Sequence, residues 1–156
     1  VLFLVVGPPA GGKSTWVKNH AQPGDIVVDS DALANTLSPH GSSSHDHSPA
    51  VKAVTKEVRR AAIDAAVAMH DDIDTDVYVI HSMPSEQMLR KYHRLGARIV
   101  VVDPGPQVVG KRAEAERPPR MRNVVDKWYA DITDYVHQFE SYWIREEEGK
   151  VSECHS

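Results

Sequence analysis

The sequence predicts one α/β domain: a central parallel sheet with helices on both faces, in three layers. Strand-length apolar runs alternate with helix-period segments along the chain, as parallel strands joined by helical crossovers require. The first of these runs passes directly into a glycine-rich loop and then a helix, the order in which such sheets build ligand sites at their strand ends. A chain of 156 residues is long enough for one such sheet and too short for a second core.

Residues 1–6 form the first strand, and Gly7-Pro8-Pro9-Ala10-Gly11-Gly12-Lys13-Ser14 follows without a gap. This octapeptide matches every fixed position of the phosphate-binding pattern G-x-x-x-x-G-K-[ST], and Thr15-Trp16-Val17 carries the helix on to about residue 20. Gln22-Pro23-Gly24 turns the chain into a short strand at 25–28, after which Asp29-Ser30-Asp31 caps a helix running to about 37. Residues 38–49, rich in Ser, His, Gly and Pro, lack apolar periodicity and read as a mobile loop. A long amphipathic helix over 50–70 presents Val51, Val54, Val58, Ala62, Ala65 and Met69, and the strand 77–80 follows it. Residues 85–95 form a helix that Gly96 ends before the strand 98–102. The last elements are a helix over 107–116, a connector at 117–122, and a final helix over 123–148. That helix places Val124, Val125, Trp128, Ile132, Tyr135, Val136, Phe139 and Trp143 on one face, so the domain spans 1–148 with a tail at 149–156.

The chemistry follows from the motif. Glycines let backbone N–H groups close around phosphate oxygens, Lys13 neutralises β/γ charge, and the Ser14 hydroxyl is placed for Mg²⁺. The expected cradle for ATP or another nucleoside triphosphate is Gly7, Pro8, Pro9, Ala10, Gly11, Gly12, Lys13, Ser14 and Thr15, at the positive end of a helix. At the end of the second strand, one aspartate caps the next helix and the other is open to act as general base. Asp31 is the first choice for base and Asp29 for the metal side, with Ser14. In the connector Arg117-Pro118-Pro119-Arg120-Met121-Arg122 the prolines interrupt helix and concentrate arginines, which reads as a lid. Arg117 is the first candidate for the transferred phosphate, and Arg120 and Arg122 are alternatives.

Net charge is −4, which argues against a protein that coats nucleic acid non-specifically. Basic residues nevertheless gather between Arg90 and Lys127, whereas the acidic runs at 71–76 and 146–148 read as solvated surface. One cysteine, Cys154, excludes an internal disulfide, and no run reaches membrane-spanning length; a soluble cytoplasmic protein is expected, in the host cytoplasm if phage-encoded. The chain begins at Val1, which leaves its natural termini open. His40, His45 and His47, with Asp46, form a weak candidate for a transition-metal site.

The P-loop through Trp16, Asp29-Ser30-Asp31, Ile99-Val100-Val101-Val102-Asp103, Lys111-Arg112, Arg117 and Asn123-Val124-Val125-Asp126-Lys127-Trp128-Tyr129 together resemble the P-loop kinases related to the kinase domain of bacteriophage polynucleotide 5′-hydroxyl kinase. The resemblance covers residues 1–131. It implies an ATP- and Mg²⁺-dependent enzyme of nucleic acid repair with a P-loop NTPase/kinase fold and an arginine-bearing lid. Asp31 is its base, Arg117 its lid arginine, and Arg112 and Arg120 join the nucleotide contacts. Two positions depart from the pattern: Ala34 stands where the family carries an acceptor-binding arginine, and His81-Ser82-Met83-Pro84 replaces an acidic turn. Arg59, Arg60 and Arg90 are candidates to replace the missing contact. The expected acceptor is the 5′-hydroxyl of DNA or RNA. The alternatives are a kinase for a nucleoside, modified base or other small molecule, and an NTP-binding module regulating an attached nucleic-acid enzyme.

Overall fold

The computed structural model describes residues 1–39, 46–147 and 150–155. Its sheet has six strands in the order β2-β3-β1-β4-β5-β6, with β1 at Leu2–Val6, β2 at Ile26–Val28, β3 at Val77–His81, β4 at Arg98–Val102, β5 at Ser141–Glu147 and β6 at Lys150–His155. The first five strands of that order run parallel, and β6 is antiparallel to β5. Each central strand is apolar on both faces because helices cover both. Leu2, Leu4 and Val6 meet Val77, Val79, Ile99 and Val101 on one face, whereas Val5, Tyr78, Ile80, Val100 and Val102 share the other.

The helices are α1 (Lys13–His20), α2 (Ser30–Thr36), α3 (Pro49–Met69), α4 (Glu86–Arg94), α5 (Pro106–Glu116), α6 (Met121–Lys127) and α7 (Thr133–Val136). Val17 and Trp16 of α1 cover one face of the sheet, while Ile63 and Ala66 of α3 and Leu89 and Tyr92 of α4 cover the other. Sequence and structure agree on the α/β architecture and on the order of elements through α5.

Beyond α5 the expectation fails in an instructive way. The single helix expected over 123–148 is α6, a π-helical turn at Trp128–Ile132, and α7, after which β5 and β6 take residues expected to be helix and tail. Val125, Trp128, Ile132, Val136 and Trp143 are buried as expected. Trp143 continues the helical spacing from Phe139, but Tyr142-Trp143-Ile144 is also a β-favouring triplet. Pairing with Val100, Val101 and Val102 decides the matter, because that edge of β4 would otherwise be unpaired.

The α3 helix forms where expected but is turned about its axis. Val54, Val58 and Met69 are 52%, 37% and 49% exposed, whereas Thr55, Ile63 and Ala66 are buried. The 38–49 loop lies partly outside the described residues; Ser48 already caps α3, its side chain accepting from the Val51 N–H. His40 and His45 fall outside the described residues as well, and no metal-binding group of His, Cys, Asp or Glu occurs among those that are described. No described helix is long and apolar enough to cross a membrane.

Trp128 is fully buried at the start of the π turn and packs edge-on against Tyr129 at 5.1 Å. Trp128→Ala is expected to cost about 3–5 kcal/mol, read from denaturant unfolding, with the slope of the transition unchanged.

Candidate active site

The loop after β1 lies so close to the end of β4 that side chains are excluded. A Cβ built on Gly7 would stand 2.2 Å from the Val102 carbonyl oxygen, and one on Gly11 would stand 2.9 Å from the same atom and 2.8 Å from Pro8 O. Gly12, at φ 93°, then turns the chain into α1 through left-handed backbone, and no side chain caps that helix. The first-turn N–H groups of α1 have no side-chain cap, which leaves the start of that helix, beside the loop, suited to an anion.

Lys13 is buried, and its Nζ donates to Gly7 O at 3.0 Å and Pro8 O at 2.7 Å. Burial, and then the Arg117 charge, lower its pKa to about 8, while Asp29 and Asp31 act in the opposite direction. One lysine therefore senses Arg117 and both aspartates. The Ser14 hydroxyl donates to Asp29 Oδ2 at 3.1 Å, and Asp29 Oδ1 accepts the Asp31 N–H at 3.1 Å. Asp29 is thus the aspartate that caps α2. Its other oxygen and Ser14 Oγ present hard donors beside the loop, a pair that fits Mg²⁺ completed by water and phosphate oxygens.

These groups line one cleft of about 1430 Å³. Its walls include Pro9, Ala10, Gly11, Gly12, Lys13, Ser14, Thr15, Asp29, Asp31, Arg112, Arg117 and Arg120. Of the expected nucleotide set, only Gly7 and Pro8 lie behind the wall, where their carbonyls hold Lys13. Arg117 follows α5 in extended backbone and is 17% exposed, whereas Arg120 donates to Asp46 at 2.9 Å. Arg122 is 78% exposed near Glu114 and lies outside the cleft. The structure therefore brings Arg112, Arg117 and Arg120 together and leaves Arg122 apart.

The strand-end acid Asp103 has a supporting role. Its Oδ1 accepts from Tyr129 OH at 2.6 Å and from the Gly105 N–H at 2.9 Å, fixing the entry to α5 against the π turn. His81 faces the cleft with its pKa lowered to about 4 by burial, then by Arg59 and Lys13. It is neutral at physiological pH. Three cleft residues on α3, Lys52, Thr55 and Lys56, carried no signal in the sequence, and Arg59 appeared only beside Arg60 and Arg90. The helical phase set by Ile63 and Ala66, rather than by Val54 and Val58, would have found them.

Gly7→Ala is expected to lower stability by about 1–3 kcal/mol in denaturant unfolding, because neither the loop nor Val102 can retreat without breaking the β1–β4 contact. An unchanged midpoint would show that the loop has room to spare.

The AAA domain family model matches residues 2–135. No curated protein sequence matches the chain. Among solved structures, a chain of the Pnkp1/Rnl/Hen1 RNA repair complex superposes with a TM-score of 0.64 at 17% identity, over 89% of this chain and 46% of that one. This protein thus spans less than half the length of that neighbour, and the likeness is one of fold. With the loop and the parallel sheet in these positions, the chain belongs to the AAA domain family and has the fold of the P-loop kinases.

Proposed function

We propose that this protein is an ATP-dependent phosphotransferase whose acceptor is the 5′-hydroxyl of DNA or RNA. The observation that carries the reading is that the glycine-rich loop with Lys13 and Ser14, the aspartates Asp29 and Asp31, and Arg117 line one cleft. Phosphoryl transfer is mainly positioning and charge stabilisation, and this arrangement supplies both. The loop amides and Lys13 hold the β- and γ-phosphates. Ser14 and Asp29 would hold Mg²⁺, which when bound would supply positive charge against the triphosphate. The acceptor oxygen bonds to the γ-phosphorus as its proton passes to Asp31, and the bond from γ-phosphorus to the bridging oxygen breaks, releasing nucleoside diphosphate. Arg117 stabilises charge on the phosphoryl group in flight, with Arg112 and Arg120 on the nucleotide side.

A nucleic-acid acceptor is supported by the shared fold with a component of an RNA repair complex. One observation favours a smaller acceptor: Ala34 is buried in the cleft wall and offers no charge at the position where the resembled family carries an acceptor-binding arginine.

The deciding experiment is transfer of label from γ-labelled ATP with Mg²⁺ to a 5′-hydroxyl oligonucleotide, beside a 5′-phosphorylated control. Label is expected only on the 5′-hydroxyl strand. Lys13→Ala should abolish transfer, Asp31→Asn should lose about 10²-fold or more in turnover while retaining ATP binding, and Arg117→Ala should lower kcat more than ATP affinity. Full activity in Asp31→Asn would remove it as base, and unlabelled strands with labelled nucleosides would establish the smaller acceptor.

The Lys13 pKa yields a second test. Phosphates beside Lys13 favour its charged form, so the pKa of about 8 rises on nucleotide binding. At pH above about 8 the free protein has partly lost this proton, so binding takes up as much as one proton, and affinity falls as pH rises. Calorimetry at about pH 8.5 in buffers of different ionisation enthalpy is expected to give different apparent heats; equal heats would contradict the assignment.

A further inference from the structure

We propose that α3 is a self-pairing surface: the apolar stripe on its outer face, Val54, Val58, Ala61, Ala65 and Met69, packs antiparallel against the same stripe of a second copy of this chain. The spacing keeps these residues on one side of a helix of about 3.6 residues per turn. That side lies opposite the buried Thr55, Ile63 and Ala66. All five stripe residues are exposed, and none lines the cleft, so pairing leaves the cleft open. Of the eight large apolar side chains exposed among the described residues, Val54, Val58 and Met69 belong to the stripe and Ile73 to the turn that follows it. Half of them thus gather on one helix and its exit instead of scattering, the distribution that marks an interaction surface.

The partner that fits this surface is the surface itself. Reversed about a point between Ala61 and Ala62, the stripe sets Val54 against Met69 and Val58 against Ala65, while Ala61, next to the two-fold axis, lets the backbones approach. Charge selects the direction. From Pro49 to Arg60 the helix carries Lys52, Lys56, Arg59 and Arg60 against Glu57 alone, and Glu57 is paired with Arg60 at 3.0 Å. From Ala61 to Asp74 the helix and its exit carry Asp64, Asp71, Asp72 and Asp74 and no Lys or Arg. The first turn of α3 has no acid and its last turn no base, so these charges add to the helix macrodipole instead of opposing it. An antiparallel copy corrects both at once, because the basic, dipole-positive half of one α3 lies along the acidic, dipole-negative half of the other. The reversal that matches the stripes also brings Arg60 opposite Asp64 to within one residue, and Lys52 to the level of Asp71 and Asp72. A parallel pair would set like charges side by side.

Sedimentation velocity of the full chain over a range of concentrations tests the pairing. The stripe is about 22 Å long at about 1.5 Å per residue, which is small for a specific interface, so the expected dissociation constant is about 10–100 µM. Wild type is expected to pass from monomer to dimer over about 5–300 µM protein, and to dimerise severalfold more weakly at about 0.5 M salt than at about 0.05 M. Val58→Asp, at an exposed position, should weaken the dimer about tenfold or more while leaving the melting temperature of the dilute protein unchanged. A wild type that stays monomeric at the highest concentration overturns the proposal, as does a dimer that Val54→Asp and Val58→Asp both leave intact. Should those variants fail to fold, cross-linking with a short bismaleimide decides, in a Cys154→Ser background. Val54→Cys chains mixed with Met69→Cys chains are expected to link, and Val54→Cys chains alone are not. Linking of Val54→Cys alone would show a parallel pair, and no link in the mixture would show that the stripes do not meet; either result overturns the proposal.

Discussion

The constraint on which the site depends is the approach of the Gly7–Gly12 loop to the carbonyl end of β4. That approach is tight enough that Val102 O would overlap a Cβ at Gly7 or Gly11. It requires β4 to be the neighbour of β1, which places β3 on the other side of β1 and β2 beyond it. Parallel pairing then brings the C-terminal ends of β1, β2, β3 and β4 to one edge, where the loop, Asp29, His81 and Asp103 emerge together. The same approach directs Gly7 O and Pro8 O at Lys13, so a buried ammonium finds two acceptors and is kept from open water.

Around that ammonium the influences against charge outweigh those for it. Burial and Arg117 favour the neutral amine, and the two aspartates favour the cation. Such a centre has more to gain from a polyanion than a lysine already held in an ion pair, because an arriving triphosphate relieves desolvation and the Arg117 repulsion together. Asp29 links this balance to the backbone: one oxygen caps α2 and the other holds Ser14, so the carboxylate is positioned by structure before any metal arrives. Asp103, by contrast, accepts from Tyr129 and Gly105, which braces the entry to α5.

Local features of the sequence were legible and long-range ones were not. The loop could be read position by position because each glycine answers a steric demand and Lys13 and Ser14 an electrostatic one. The alternation of strands and helices through α5 could be read because fully buried parallel strands appear as continuous apolar runs, such as Leu2–Val6 and Ile99–Val102. Tyr142-Trp143-Ile144 could not, since its spacing from Phe139 satisfies a helix equally, and only the free edge of β4, more than forty residues earlier in the chain, favours a strand. Nor could sequence decide which aspartate caps α2, because Asp29 and Asp31 are chemically the same until the hydrogen bonds from Ser14 and the Asp31 N–H separate them.

The phase of α3 exposes the competition behind these failures. Amphipathic spacing alone would bury Val54, Val58 and Met69, and full burial of such a side chain contributes about 1.5–3 kcal/mol. The helix instead turns Thr55 and Arg59 inward, leaves the stripe at least one-third exposed, and accepts unsatisfied polar atoms in the cleft wall. Ile63 and Ala66, two turns further on, pack against the sheet and lock that orientation, so the helix cannot recover the lost burial by rotating. Local pattern and final structure disagree here because the packing of Ile63 and Ala66 on the sheet outweighs the amphipathic stripe of the helix's first half.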